Sequence, residues 1–314
     1  MPIIKIKFVD FWFGFSPDNN YFFSLLSNVF SVEFSENPEI IIYSCFGTEY
    51  LKYSCIRIFY TGENLRPDFT GCDYAISFDY NRDPRHFRLP LYALYINQNN
   101  TIERLLEKKT WEEAKAIWQS KTKFCCMVVS NGQSKKRLDF FEKLSKYKTV
   151  DSGGKIMNNV GGPVKDKLAF IRDYKFVISF ENENYPGYTT EKIIEPFLVG
   201  SIPLYWGNPY ASKDFNEDCF LQLASTKSDE EFITEILEAD NNEEKAIYML
   251  MQPKFPEGKI PADINQAKLI QFFQKIINAA SYKVPVAKSW RKYLHLYKIK
   301  KGYYRGRIKA IHCL

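Results

Sequence analysis

The stretch from Lys175 to Trp206, KFVISFENENYPGYTTEKIIEPFLVGSIPLYW, admits few folds, because two short apolar runs flank one helical segment and polar groups fall at every joint. Lys175–Phe180 is bounded by charge, the pattern of a buried parallel strand, and it ends at Glu181 and Asn182. A loop containing Pro186 and Gly187 follows. Thr189 or Thr190 then caps a helix whose Ile193, Ile194, Phe197 and Leu198 lie on one stripe. Gly200 ends that helix before a second strand over Ser201–Trp206. Joints of this kind are where open α/β sheets take ligands. On this reading Glu191 and Lys192 stand in the first helical turn, where free backbone N–H groups, the helix dipole and the lysine charge favour a phosphate. Patterning alone is equally satisfied by a βαβ unit with a solvated Glu–Lys pair.

The rest of the chain repeats the alternation in two series. Ile3–Val9, Glu39–Tyr43, Ile56–Tyr60 and Asp73–Phe78 read as strands, Tyr21–Phe30 as a short amphipathic helix and Ile102–Trp118 as a longer one. A second series begins with a strand over Lys123–Ser130, followed by a helix over Lys135–Lys146 and a strand near Lys148–Asp151. Two successive sets predict an α/β fold of two Rossmann-like domains facing a cleft. The expected parts are a first domain over 1–122, a second over 123–263 and a basic aromatic tail over 264–314.

Taken whole, the motif FENxxxxGYxTEKIIEPF…GSIPLYWGNP resembles the donor-binding signature of the α-1,3-fucosyltransferases, inverting enzymes that use GDP-fucose. Phe59–Asn64 (FYTGEN), Asp73–Asp79, Arg88–Tyr92 and Val150–Gly154 are similar to further family segments and occur in the family's order. The resemblance implies the two-domain glycosyltransferase architecture called GT-B, with the acceptor on the first domain and the nucleotide on the second. It also implies transfer of fucose from GDP-β-L-fucose to the 3-hydroxyl of an N-acetylglucosamine in a lactosamine-type glycan or lipopolysaccharide. An inverting transferase using another nucleotide sugar is one alternative. A non-catalytic basic protein that binds membrane or nucleic acid is another.

Sugar transfer from a nucleotide diphosphate needs a base for the acceptor hydroxyl and positive charge for the leaving group. Glu63 suits the first need: Arg57–Tyr60 reads as a strand delivering Thr61–Asn64 at its C-terminal end, and the resemblance puts the catalytic base at this glutamate. Lys192 and Arg137 suit the second. Family members tend to show a single arginine where this chain offers Lys135, Lys136 and Arg137, so Lys136 stays a candidate. The resemblance adds Asn182, Tyr188 and Glu191 as donor contacts, with Glu181 as an alternative carboxylate beside an oxocarbenium-like centre. Pro196, several residues into the expected helix, predicts a kink there. His86 lies beside a family-like segment, where a role near the acceptor competes with a structural one. No two aspartates stand two apart, so no Asp-x-Asp metal motif is present and no divalent cation is expected to be required, although one could stimulate.

Hydrophobic residues at 45% and charged residues at 25% describe a globular chain and not a disordered one. No run approaches the roughly 18 apolar residues of a membrane span. The opening MPIIKIKFVDFWFGF reads as a first strand and not a signal peptide. Seven scattered cysteines without a CxxC pair suggest reduced thiols. Animal members of the family carry a membrane anchor and stem; lacking both patterns, this chain is expected to be a bacterial cytoplasmic form. After Asp263 there are twelve lysines and arginines and no acid, interleaved with tyrosines. That tail is expected to lie peripherally on the anionic inner face of a membrane, with a helix packed back on the first domain as the alternative and nucleic acid not expected as a partner.

Overall fold

A computed structural model describes residues 3–302. They form two compact units, one from residues 3–90 together with the segment 262–302, the other from Leu91–Pro261. The first unit begins β1 (Ile3–Val9), α1 (Tyr21–Ser27), β2 (Ser31–Phe34), β3 (Ile40–Tyr43), β4 (Ile56–Tyr60), β5 (Tyr74–Ser77) and β6 (His86–Arg88). All strands run parallel in the order β2-β1-β3-β4-β5-β6. β3 and β4 are buried along their whole length, which is why both read as near-continuous apolar runs. Arg57 is the exception. Its guanidinium donates to Tyr53 O at 2.8 Å and its backbone N–H to Asp73 at 3.0 Å, so the buried charge is hydrogen-bonded.

The second unit runs α2 (Leu91–Gln98), α3 (Ile102–Leu106), α4 (Trp111–Ser120), β7 (Lys123–Met127), α5 (Lys135–Ser145), β8 (Val150–Ser152), α6 (Lys167–Ile171) and β9 (Tyr174–Phe180). It continues through α7 (Ile194–Val199), β10 (Ile202–Trp206), β11 (Leu221–Gln222), α8 (Asp229–Asn241) and α9 (Glu243–Met251). Its parallel sheet has the order β11-β10-β9-β7-β8. Phe140, Phe176, Phe180, Leu204 and Phe232 fill the core, and Ala114 and Trp118 of α4 belong to it, with Trp118 edge-on to Phe176 at 5.9 Å. Residues 91–120 therefore pack with the second sheet, and the unit begins at Leu91, ahead of the boundary read near residue 122.

The helix read over 102–118 is divided. Thr110 accepts from Glu113 N–H at 3.2 Å, and Glu113 accepts from Thr110 N–H at 2.8 Å. This capping box, worth about 1 kcal/mol, starts α4 afresh.

Two helices complete the first unit: α10 (Gln266–Ala280) and α11 (Arg291–Lys300). α10 buries Leu269, Phe272, Phe273 and Ile276; Phe272 meets Tyr74 at 5.9 Å and Phe273 meets Phe22 at 6.3 Å. Each such phenylalanine gains about 1.5–3 kcal/mol by leaving water. α11 is pinned by His295, which hydrogen-bonds Tyr50 at 2.6 Å, and by Lys298, whose ammonium reaches Asp68 at 3.1 Å. The basic tail thus has one face packed on its own unit. Its remaining aromatic and basic residues, from Tyr303 through Lys309, lie outside the described residues, as do His312 and Cys313.

Each sheet reverses its winding once, between β1 and β3 in the first and between β7 and β9 in the second. The C-terminal strand ends beside such a reversal are where ligands bind in open parallel sheets.

Candidate active site

At the reversal in the second sheet, the loop after β7 leads into α5 and the loop after β9 begins with Glu181 and Asn182. Arg137, in the first turn of α5, is 1% exposed, and its Nη2 donates to Asn182 Oδ1 at 2.7 Å. Burial draws its pKa down, while the fields of Glu181, Tyr188 and Glu191 oppose that, and a guanidinium stays charged. Its Nε has no protein partner among the described residues. A buried donor left this way costs free energy unless a ligand accepts from it. Lys136 points elsewhere: it pairs with Asp229 of α8 at 2.5 Å, a carboxylate shared with Lys143 at 2.9 Å. Arg137 is the member of the basic cluster that reaches Asn182.

Glu181 is fully buried. Its carboxylate accepts from Thr190 N–H at 2.7 Å, from the Thr190 hydroxyl at 2.8 Å and from Lys192 Nζ at 3.2 Å. Burial pushes its pKa up against the pull of Lys192. Lys192 also donates to Thr190 Oγ1 at 3.0 Å and lies 3.7 Å from Glu191. Burial draws the Lys192 pKa down, but Glu181 and Glu191 outweigh it and hold the ammonium above its ordinary value. For Glu191 burial raises the pKa, yet Lys192 and Lys167 outweigh it and keep the carboxylate ionised.

This arrangement corrects the helix read from sequence. Thr190 does not cap: its N–H and hydroxyl are taken by Glu181, so Glu191–Ile193 form a turn and α7 begins only at Ile194. Pro196 then falls in the first turn of a six-residue helix, where a missing N–H costs nothing, and the expected kink is absent. Lys192 acts from the turn ahead of the helix, with its charge shared between two carboxylates, and not from a helix N-terminus.

The intervening loop is clamped by residues to which the sequence reading gave no role. Tyr185–Tyr188 closes a turn by Tyr188 N–H to Tyr185 O at 3.1 Å, with Pro186 second and Gly187 third at φ 85, the residues a type II turn demands. Asn208, fully buried, accepts from Gly187 N–H at 2.8 Å and from Tyr210 N–H at 2.9 Å, and donates to Thr189 Oγ1 at 3.1 Å. Tyr205 OH accepts from Asn208 N–H at 3.2 Å. The signal was the Trp-Gly-Asn-Pro string after β10, whose asparagine satisfies backbone groups that a loop at a strand end would otherwise leave open. Tyr188, buried at the end of this turn, is held by the same clamp.

In the first unit Glu63 stands just past β4. Thr61 Oγ1 accepts from Glu63 N–H at 3.0 Å and donates to Glu63 O at 3.2 Å, a turn that fixes the glutamate's backbone. A buried polar chain reaches its neighbour: Arg66 donates to Asn64 at 2.8 Å and pairs with Asp79 at 3.0 Å, while Ser77 Oγ bonds Asp79 at 2.7 Å and His86 at 2.9 Å. Burial lowers the His86 pKa to about 4, so the ring is neutral at neutral pH and serves as a terminus of that chain. Among the described residues no three His, Cys, Asp or Glu side chains come together as cation ligands.

Comparison with known proteins matches residues 6–95 to the α-(1,3)-fucosyltransferase FucT N-terminal domain and residues 118–250 to the C-terminal part of glycosyltransferase family 10 (fucosyltransferase). The α-(1,3)-fucosyltransferase FucT of Helicobacter pylori is 29% identical over 296 residues, which cover 82% of this chain and 62% of that one. A 4-galactosyl-N-acetylglucosaminide 3-α-L-fucosyltransferase of Mus musculus is 32% identical over 128 residues, 39% of this chain and 35% of that one. The chain thus spans less than two thirds of the length of these relatives. A crystal structure of an α1,3-fucosyltransferase with GDP-fucose superposes with a TM-score of 0.75 at 27% identity, covering 88% of this chain and 91% of the other. Two Rossmann-like units of the GT-B kind, a matched family model on each and a structural likeness over most of the chain agree: the chain belongs to the α-1,3-fucosyltransferase family, glycosyltransferase family 10.

Proposed function

We propose that the chain transfers L-fucose from GDP-β-L-fucose to the 3-hydroxyl of an N-acetylglucosamine in a lactosamine-type glycan, with inversion at the anomeric carbon. Arg137 carries the donor half of this reading. Its buried guanidinium spends one N–H on Asn182 and keeps Nε without a protein partner at the strand ends where ligands bind. A diphosphate is the anion a fixed guanidinium takes through parallel hydrogen bonds. The fucosyl group and the 3-hydroxyl rest on the relatives, one of which is named for 3-α-L-fucosyl transfer to a galactosyl-N-acetylglucosaminide.

In this mechanism Glu63 removes the acceptor proton, and the oxygen attacks the anomeric carbon from the face opposite GDP. The bond from that carbon to the diphosphate breaks, and Arg137 and Lys192 take up the charge released on the phosphate. Asn182, Tyr188 and Glu191 bind nucleotide and sugar, Glu191 as an acceptor for ribose hydroxyls. Glu181, saturated by Thr190 and Lys192, fixes the lysine and is not assigned to the oxocarbenium centre. With two cations on the leaving group, no divalent ion is assigned a step. The test is incubation with GDP-fucose, GDP-mannose and UDP-sugars against type 1 and type 2 oligosaccharides, followed by linkage analysis. The expected product is α-1,3-fucosylated N-acetylglucosamine from GDP-fucose alone. Another donor overturns the donor half, and fucose at the 4-hydroxyl overturns the acceptor half.

We also propose that α11 meets an anionic membrane surface peripherally, on the cytoplasmic side. With His295 and Lys298 turned to Tyr50 and Asp68, the opposite face exposes Trp290, Tyr293 and Tyr297, flanked by the exposed Lys292 and Lys300. Rings at helical spacing flanked by cations suit an acyl–headgroup boundary. Cosedimentation with phosphatidylserine-containing vesicles is expected, weakened by salt and by the combined Trp290→Ser, Tyr293→Ser and Tyr297→Ser changes. Equal binding to neutral phosphatidylcholine vesicles, or no loss in the triple variant, overturns it.

A further inference from the structure

Beyond Glu63, the ligand edge of the first sheet carries a second feature that the reaction has not used. At the C-terminal end of β1, beside the winding reversal, the chain reads Asp10-Phe11-Trp12-Phe13-Gly14-Phe15. Phe15 N–H donates to Trp12 O at 3.2 Å and Gly14 sits at φ 82, the glycine position of a type II turn. The turn lifts Phe13 to its tip, fully exposed at 105%, and leaves Trp12 45% exposed.

These rings stand on a packed base. Trp12 meets Phe11 at 5.6 Å, Phe15 at 5.2 Å and Phe46 at 6.4 Å, all edge-on, while Phe11 stacks on Phe15 at 4.0 Å and lies parallel to Tyr60 at 6.1 Å. Asp10 ties the loop to the one after β3, accepting from the Glu49 and Tyr50 amides at 2.8 Å each. Tyr60 ends β4 and runs directly into Thr61-Gly62-Glu63, and the Thr61 hydroxyl reaches Cys45 Sγ at 3.8 Å, next to Phe46. The aromatic loop and the Glu63 turn therefore share one foundation at one edge of one sheet. Two rings left in water on such a base are costly for a soluble surface and suited to a ligand with an apolar face and a polar rim. A pyranose has both: the C–H groups of one face present positive edges to the negative face of a ring, and its hydroxyls remain for polar groups nearby.

We propose that Trp12 and Phe13 form a platform for the apolar face of an acceptor hexose, orienting the glycan whose hydroxyl Glu63 deprotonates. This rests on the fucosyltransferase reading. Galactose is the hexose of choice within N-acetyllactosamine, since its axial 4-hydroxyl leaves the opposite face as a continuous C–H surface. The platform makes acceptor affinity, not donor affinity, depend on the two rings.

The experiment measures initial rates with GDP-fucose and N-acetyllactosamine for the unaltered chain, Trp12→Ala, Phe13→Ala and Trp12→Phe. The acceptor KM is expected to rise about tenfold in each alanine variant and to stay near the original in Trp12→Phe, with the KM for GDP-fucose unchanged throughout as the check on folding. Transfer by the unaltered chain with acceptor KM unmoved in both alanine variants overturns the platform and leaves the fucosyltransferase reading standing. A Trp12→Ala variant whose donor KM moves with its acceptor KM also overturns it, since the ring then acts on the fold. No transfer by the unaltered chain from any nucleotide sugar overturns both readings.

Discussion

Glu63→Gln is expected to lower the fucose-transfer rate by about 10²- to 10⁴-fold, the range general-base catalysis supplies, and to leave GDP binding intact. Glutamine has the same shape and cannot accept the proton. The turn presenting residue 63 is held by its backbone, through the Thr61 hydroxyl at 3.0 and 3.2 Å, and glutamine keeps both bonds. Loss of activity therefore reads the proton transfer and not a collapsed loop. Arg137, Asn182 and Lys192, the residues proposed to bind the donor, belong to the other unit, so calorimetric titration with GDP provides an independent control. A kcat equal to that of the unaltered chain removes Glu63 from the mechanism.

The strand that ends ahead of Glu63 is legible in the sequence, whereas the proposed role of Glu63 comes from the family resemblance. β4 was readable as Ile56–Tyr60 with its bounds intact because both faces are covered, so the run is apolar until the chain leaves the sheet. β9 and β10 were legible for the same reason. β2, β6 and β11 are not legible in the same way: they are edge strands of four, three and two residues, too short to set a periodicity. The start of α7 was misread because local rules make Thr190 a cap, and only a buried glutamate nine positions earlier claims its N–H and hydroxyl. The choice between Lys136 and Arg137 was undetermined locally for a similar reason. It depends on Asp229, on a helix far along the chain, which draws Lys136 away. Motif spacing delivered the candidate residues, but which groups are spent inside the protein and which remain for a ligand is a tertiary property.

That distinction makes Arg137→Lys the sharpest test of the donor half. The variant is expected to lose about 10²- to 10³-fold in kcat/KM for GDP-fucose, the cost of removing a positioned donor from a developing charge, although the formal charge is kept. Lysine has one compact ammonium. It can satisfy Asn182 Oδ1 or a phosphate oxygen but cannot reproduce a planar fork that holds Asn182 at 2.7 Å and still offers Nε. Removal of the Lys192 charge would be harder to interpret. That ammonium lies against Glu181 at 3.2 Å, and removing it leaves a buried carboxylate without its counter-charge, a defect worth about 3–5 kcal/mol of stability. Among the described residues Glu181 and Glu191 pair with Lys192 and not with Arg137, so replacing Arg137 by another cation disturbs the ligand side more than the fold. Thermal melting of Arg137→Lys should thus stay close to that of the unaltered chain while donor kcat/KM falls and the KM for acceptor holds. If donor kinetics are unchanged while the protein melts normally, the guanidinium is a structural strut for Asn182, and the leaving-group charge must be met by Lys192.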